Sequence, residues 1–345
     1  MPIRLIHAGL GGWGRNWAGY VIKTVKEVEL VAAVEIDPAS AKLAQKVSSL
    51  PANRYFTSLE EACNSVDADA VLVTAPLPAH MPLTLEALRL GKHVLCEKPF
   101  APSLTEAREA AEVAEAQQRV LMVSQNYRFY PAVQAAADLI RTRELGAPGF
   151  VTLDFRRNVN TTTSERHRNL WHPLLTDMSI HHFDMMRMVL GQEPTEITCH
   201  AWNPPWSTFR DPASAVATIL FDGGAVVSYR GSWVSPQPQT TWGGDWIMEC
   251  AEGAVAWTSR GGNILDASHD RVMVTPLGES AEPLALPKLP YLGRAGSLHA
   301  FARAITDGVE PSCSARDNLG SLALMYAAIE SAETGQPVSF ASMSL

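Results

Sequence analysis

Near its start the chain reads His7-Ala8-Gly9-Leu10-Gly11-Gly12-Trp13-Gly14, a G-x-G-x-x-G spacing set between an apolar run and a helical run. No other segment restricts the fold as tightly. Residues 3–8 read as a strand, 15–27 as a helix and 29–34 as a second strand, so the glycines fall at the turn of a βαβ unit. There Gly9 permits a tight turn, Gly11 lets the backbone approach a pyrophosphate, and Gly14 lets helix and strand pack closely. The helix start adds N–H groups and a partial positive charge. A glycine-rich turn alone is a weak signal, because glycines also serve ordinary positive-φ positions. Glu35 strengthens it by closing the second strand 21 residues after Gly14. An acid there accepts hydrogen bonds from ribose hydroxyls and repels a 2′-phosphate. The expected ligand is NAD in preference to NADP, with Arg15 and Lys42 the cations placed to soften that preference.

The alternation continues. Asp37-Pro38 opens a helical stretch, then residues 68–74 read as strand, 83–90 as helix, 92–96 as strand, 104–117 as helix and 120–124 as strand, which predicts a parallel sheet. After Asn126 the texture changes. Residues 150–159, 195–202, 213–221, 225–233 and 246–257 read as strands, interrupted by one helix over 177–190. A last helical region spans 298–334, broken by Gly308 and Pro311. The expectation is an α/β Rossmann domain with a parallel sheet over residues 1–125, followed by an α+β domain over 126–345. The second domain carries a large, mostly antiparallel open-faced sheet, and its C-terminal helical region packs back toward the first. A chain of 345 residues suits two domains, with a cleft between them. The long stretch 276–296 reads as a loop with a functional role.

Composition narrows the roles. A formal net charge of −8 lacks the basic footprint that nucleic-acid binding requires. No uncharged apolar run approaches the roughly 20 residues of a spanning helix, and no charged-then-apolar leader pattern opens the sequence. Cys63, Cys96, Cys199, Cys250 and Cys313 are far apart without C-x-x-C spacing, and read as free thiols of a reducing, cytoplasmic setting.

Further constellations carry chemistry. Glu97-Lys98-Pro99 closes a predicted parallel strand and places Lys98 at its carboxyl end, the edge where such sheets bind ligands. Taken alone, Lys98 reads first as a surface charge paired with Glu97. Asp177, His181 and Asp184 are spaced i, i+4, i+7 and share one helical face, where a carboxylate one turn before His181 can hold its ring and raise its basicity. The bland reading is an amphipathic helix with a satisfied histidine and solvated acids; His182, on the neighbouring face, reads as structural. Arg156-Arg157-Asn158 and the run from Arg166 through His167 and Trp171 to His172 bracket a polar loop. Its donors suit a polyhydroxylated or carboxylated substrate, or else form a solvated basic loop. Adding Asp184 to His167 and His172 gives no tight histidine pair, so no metal is expected.

Taken together, Gly9 to Gly14, Asp69 to Pro76, Gly91 to Pro99, Asn126 to Pro131, Asp177 to Asp184, and Leu298 to Phe301 through Gly335 to Val338 resemble one family. It is the glucose-fructose oxidoreductase, inositol dehydrogenase and rhizopine-catabolism (Gfo/Idh/MocA) family, and the resemblance covers nearly the whole chain. It implies NAD-dependent oxidation of a hydroxyl on a sugar, sugar acid or cyclitol. His181 then takes the alcohol proton, Lys98 orients the hydroxyl and eases its deprotonation, and Asp177 supports both. It implies a cofactor held by Gly9, Gly11, Gly12, Trp13, Gly14 and Glu35, with Thr74, Pro76, His80, Glu97, Lys98 and Asn126 on the nicotinamide side. Arg128, Arg156, Arg166, His167, Trp171 and His172 are the implied substrate contacts. Many relatives carry a glycine-rich stretch before the aspartate; this chain has Trp171 to Thr176, so the loop shaping the pocket differs. A homodimer or homotetramer through the exposed sheet is implied as well, with Trp202, Trp206, Trp233, Trp242 and Trp246 serving either an interface or a carbohydrate site. Two alternatives are an NAD-dependent glycosidase working by transient oxidation and an inactive cofactor-binding regulator. Retention of Lys98, Asp177 and His181 speaks against the regulator.

Overall fold

Six apolar runs form the first sheet: β1 (Ile3–Ala8), β2 (Val28–Val34), β3 (Tyr55–Phe56), β4 (Ala70–Val73), β5 (His93–Cys96) and β6 (Leu121–Val123). Every pair in it is parallel, in the order β3-β2-β1-β4-β5-β6. Parallel neighbours need crossover connections, which the intervening helices supply. β4 is buried at every position, as befits a strand covered on both faces. The chain winds one way from β1 to β3 and the other way from β4 to β6. Sheets of this order bind ligands outside the carboxyl ends of the strands at that reversal. The computed structural model describes residues 1–262 and 266–342; in it this sheet belongs to a unit of residues 1–126 and 294–319. Most of the helix Gly293–Asp307 therefore groups with the first sheet. Leu5, Ile6, Val71, Leu72, Val94, Leu95 and Trp17 are buried in its core, each such aliphatic side chain stabilising by about 1.5–3 kcal/mol.

The other unit comprises residues 127–293 and 320–345, of which 263–265 and 343–345 lie outside the described residues. Its strands are β7 (Pro148–Arg156), β8 (Pro194–Trp202), β9 (Ser214–Phe221), β10 (Val226–Ser232), β11 (Asp245–Cys250), β12 (Gly253–Thr258), β13 (Arg271–Pro276), β14 (Glu282–Pro283) and β15 (Val338–Ser339). They form one sheet in the order β14-β13-β12-β11-β7-β10-β9-β8-β15, antiparallel except where β7 and β10 run parallel. Burial alternates along β9, β10 and β11, so one face is packed and the other open. Leu153, Phe155, Tyr229, Trp246 and Met248 are buried, whereas Thr218, Ser228, Arg230 and Ile247 are exposed. The helices Pro131–Thr142 and Ile180–Leu190 pack on one another.

Several elements depart from the sequence expectation. Residues 246–257, read as one strand, form the hairpin β11–β12, which reverses at Ala251 and Glu252. Gly253 follows with φ +153°, where a Cβ would meet the Thr275 carbonyl oxygen at 2.3 Å. The first helix begins earlier than expected, at Gly12, passes into a wide π turn over Trp17–Val21 and ends at Thr24. The helix expected over 177–190 has a π turn over Leu174–Ser179 ahead of the regular helix Ile180–Leu190. Asp177 thus sits on a widened turn ahead of the helix that carries His181. The stretch 276–296 is not a bare loop, since β14 pairs with β13 inside it. All five cysteines are free. Among the described residues no helix is long and apolar enough to cross a membrane.

Candidate functional site

In the first unit the three motif glycines answer to three different neighbours. Gly9 has φ +91°, and a Cβ there would lie 2.4 Å from the Ala75 nitrogen. On Gly14 a Cβ would lie 1.9 Å from the Gly9 carbonyl oxygen, so the turn closes on its own helix. A Cβ on Gly11 meets nothing within 4 Å. No packing within the chain demands glycine at that position, and the open space fits the close backbone approach of a pyrophosphate. The helix that starts at Gly12 has no side-chain cap, which leaves its first N–H groups for an anion.

Buried side chains hold this turn from beneath. The Thr74 hydroxyl donates to the Gly9 carbonyl (2.6 Å) and accepts from His7 Nε2 (2.8 Å). These two bonds give the hydroxyl a positioning role beneath the turn. Glu35 accepts from the backbone of Leu10 (2.6 Å) and of Asp37 (2.9 Å), so its carboxylate is fixed beside the turn at the end of β2. Arg15 reaches the Leu10 carbonyl and Lys42 is exposed. Trp13 lies under the guanidinium of Arg294 at 4.1 Å, and Arg294 also donates to Asn16. Nothing in the sequence around the turn announces Arg294.

Lys98 follows β5. Beside it Glu97 is buried, accepting from the Trp17 indole (2.8 Å) and from the Lys98 backbone (3.1 Å), so it braces the strand end. The ring nitrogens of His80 face the carbonyls of Pro99 and Ala75, both at 2.9 Å, tying two strand exits together. Pro76 is exposed at the start of a short turn after β4. The Asn126 Oδ1 atom is buried without a hydrogen-bond partner, as are both amide atoms of Gln125. Buried amides left this way fit a ligand that supplies the missing partners. Gln125 was not foreseen.

In the second unit His181 occupies the first turn of the helix Ile180–Leu190, buried, its ring stacked on Tyr127 at 4.1 Å and 5°. The Arg260 guanidinium lies 4.6 Å over the same tyrosine ring. Tyr127 is thus in contact with both the imidazole and the guanidinium. Trp242 continues the stack, with Arg260 at 5.0 Å and Arg157 at 4.3 Å. Burial raises the Tyr127 phenol, with Arg260 opposing, Tyr130 and Asp177 reinforcing and Arg157 opposing, so these charges share one neighbourhood. Asp177 pairs with His167 Nε2 at 3.1 Å, and the His167 ring stands edge-on to Trp233. His167 thus joins Asp177, Tyr127 and His181 in one cluster. Tyr127 and Arg260 were not singled out in the sequence.

Other expected substrate contacts go elsewhere. Arg128 is 3% exposed and forms a bidentate pair with Asp184 (2.7 and 2.6 Å), which also accepts from Ser321, so both are structural. Arg156 is engaged by Asp154 (3.0 Å), Asp245 (3.1 Å) and the Pro238 carbonyl (3.2 Å). His172 bonds Glu333 (3.0 Å), and Trp171 stands edge-on to His172. Arg166 is exposed on the short helix Glu165–Arg168.

Two buried histidines set a pH dependence. Burial lowers His7 from 6.5 to about 3 and His182 from 6.5 to about 4. His182 is held by Tyr229 and the Trp242 carbonyl. Folded values below the unfolded one mean that both contributions are complete above pH 6.5. They are lost as pH falls toward 4 and 3, by up to about tenfold in the folding equilibrium per pH unit per histidine. The urea midpoint should therefore drop between pH 7 and pH 5. A midpoint that rises or stays flat over that interval would show that these histidines are not held neutral.

Comparison with known proteins follows from this geometry. Residues 3–125 match the model of an oxidoreductase family with an NAD-binding Rossmann fold, and residues 133–255 match the GFO/IDH/MocA C-terminal domain. Inositol 2-dehydrogenase of Rhizobium meliloti (strain 1021) is 28% identical over 351 residues, covering 99% of this chain and 100% of that protein. D-apiose dehydrogenase of Paraburkholderia graminis is 26% identical over 348 residues, covering 97% and 89%. A solved oxidoreductase from Agrobacterium radiobacter, in complex with NAD+, L-tartaric acid and magnesium, superimposes with a TM-score of 0.86. It is 21% identical over 100% of both chains and shares the fold.

Proposed function

The chain belongs to the GFO/IDH/MocA oxidoreductase family, and from that premise we propose that it oxidises a secondary or anomeric hydroxyl of a sugar, sugar acid or cyclitol with NAD. The observation that carries the reading is His181, a buried imidazole held flat by Tyr127 in a chain whose other unit is a dinucleotide cradle. Dehydrogenases of an inositol and of D-apiose among its relatives support the substrate class. Bound NAD supplies the hydride acceptor. Lys98 holds the substrate hydroxyl oxygen, and its charge favours the alkoxide. His181 takes the hydroxyl proton as the carbinol hydrogen leaves with its electron pair and the carbonyl forms. Asp177, engaged by His167, fixes the polar wall beside that imidazole. The open face of the second sheet is where we place a homodimer or homotetramer contact. Light scattering that returns the 37.5 kDa monomer mass alone would remove that assembly.

Cofactor choice rests on Glu35. Its two backbone hydrogen bonds hold a negative charge where a 2′-phosphate would enter, and like charges so placed cost several kcal/mol. The expected kcat/KM for NAD exceeds that for NADP by at least about a hundredfold, and Glu35→Gln narrows the gap. An NADP preference in the wild-type enzyme would overturn the assignment.

A further inference from the structure

Arg157 and Arg260, both over the Trp242 ring, are two cations of the His181 cluster that the proposed reaction does not use. Neither guanidinium has a carboxylate within ion-pair distance among the described residues; Arg157 donates from Nη1 to the Gln239 amide oxygen at 2.6 Å. Arg157 Nε and the Nε and Nη1 atoms of Arg260 are buried with no acceptor. A charged donor left this way is costly, and native structures keep one where something else supplies the acceptor. Burial holds the Arg157 guanidinium below its ordinary value, with Tyr127 opposing and the charge of Arg260 reinforcing. The backbone of Arg260 is itself unusual. Its φ is +58°, a left-handed conformation that a branchless glycine adopts more cheaply. Two hydrogen bonds pin it there, from its N–H to Asp270 (2.8 Å) and to its carbonyl from Trp242 N–H (2.9 Å). The result aims the guanidinium across Tyr127 and Trp242.

We propose that Arg157 and Arg260 bind the carboxylate of the substrate, so that the enzyme acts on a sugar acid, an aldonate or uronate, and not on a neutral sugar or cyclitol. The proposal rests on the dehydrogenase reading and names its substrate class. Two stacking steps, 4.1 Å and 4.6 Å, lead from the His181 ring to Arg260, a span bridged by the carbon chain between a reacting hydroxyl and a terminal carboxylate. Planar guanidiniums match a carboxylate with paired N–H donors in a way that a hydroxyl cannot. The carboxylates beside this cluster are already engaged, Asp177 by His167 and Asp270 by the Arg260 backbone N–H, and neither is in ion-pair contact with the two guanidiniums among the described residues.

Calorimetric titration of the NADH-loaded enzyme with matched pairs tests this: D-glucuronate against D-glucose, D-galacturonate against D-galactose, and D-gluconate against D-glucitol. In at least one pair the acid should bind at least about tenfold more tightly. Arg260→Met and Arg157→Met should each erase most of that advantage while affinity for NADH and the thermal midpoint stay near wild type. Equal affinity within every pair, no binding of any acid, or an acid preference that survives both substitutions would overturn the proposal. Turnover separates this from the parent reading. NADH formed from neutral polyols with no acid preference retains the dehydrogenase and removes the carboxylate site. Acid binding that needs both arginines, without NADH formation from any alcohol, does the reverse.

Discussion

His181→Ala and Lys98→Met should each lower kcat by at least about a hundredfold, with kcat/KM falling in step, because each removes a group whose contribution is made as the proton leaves. His181 packs flat against Tyr127, so its removal also leaves a cavity, and a core truncation of this kind costs on the order of 1–3 kcal/mol. Stability and catalysis are separable by measuring NADH affinity and the thermal midpoint beside the kinetics. A variant that binds NADH and melts near wild type yet turns over slowly has lost chemistry. Lys98→Met keeps the aliphatic stem and removes only the charge, so its defect reports the hydroxyl oxygen it is assigned to hold. Unchanged kcat in both variants would end the assignment of these roles.

The second large effect separates two glycines of one motif. At Gly14 an added Cβ would sit 1.9 Å from the Gly9 carbonyl oxygen, a contact no rotamer relieves because backbone lies on both sides. Gly14→Ala should open the turn, weaken NADH binding by at least about a hundredfold and lower the thermal midpoint by several degrees. At Gly11 the added Cβ meets no protein atom. Gly11→Ala should melt like wild type and still bind NADH at least about tenfold more weakly, since only the bound pyrophosphate is there to be displaced. Wild-type NADH affinity in Gly11→Ala would mean that the cradle is not where the cofactor sits.

The contrast between those glycines also marks what the sequence made legible. G-x-G-x-x-G, Glu35 and the alternation of strands and helices are local patterns, and the parallel order β3-β2-β1-β4-β5-β6 follows from them. Local signals fail where a side chain's partner lies far along the chain. Thr74 reads as a strand-end contact until the Gly9 carbonyl and His7 are found on either side of its hydroxyl. Glu97 reads as an ion-pair partner until the Trp17 indole occupies it. Arg128, named by the family resemblance, and Asp184, named by its helical spacing, are 56 residues apart in sequence, and they form a buried bidentate pair. For Asp177 the limit of periodicity is local. The π turn over Leu174–Ser179 breaks the spacing on which its position was reckoned and gives it His167 as a partner. Arg260 stands between a strand and two glycines, where the sequence offers only a loop; its role emerges from the rings it lies against.

The most direct test of the dehydrogenase itself is absorbance at the NADH band. Wild-type enzyme, NAD and a panel of aldoses, uronates, aldonates and inositols would be followed to completion, with product carbonyl measured beside it. The account predicts one NADH released for each alcohol oxidised, on at least one member of the panel, and loss of that signal in His181→Ala. Glycosidic cleavage with no net NADH, or no NADH from any member of the panel, would contradict it.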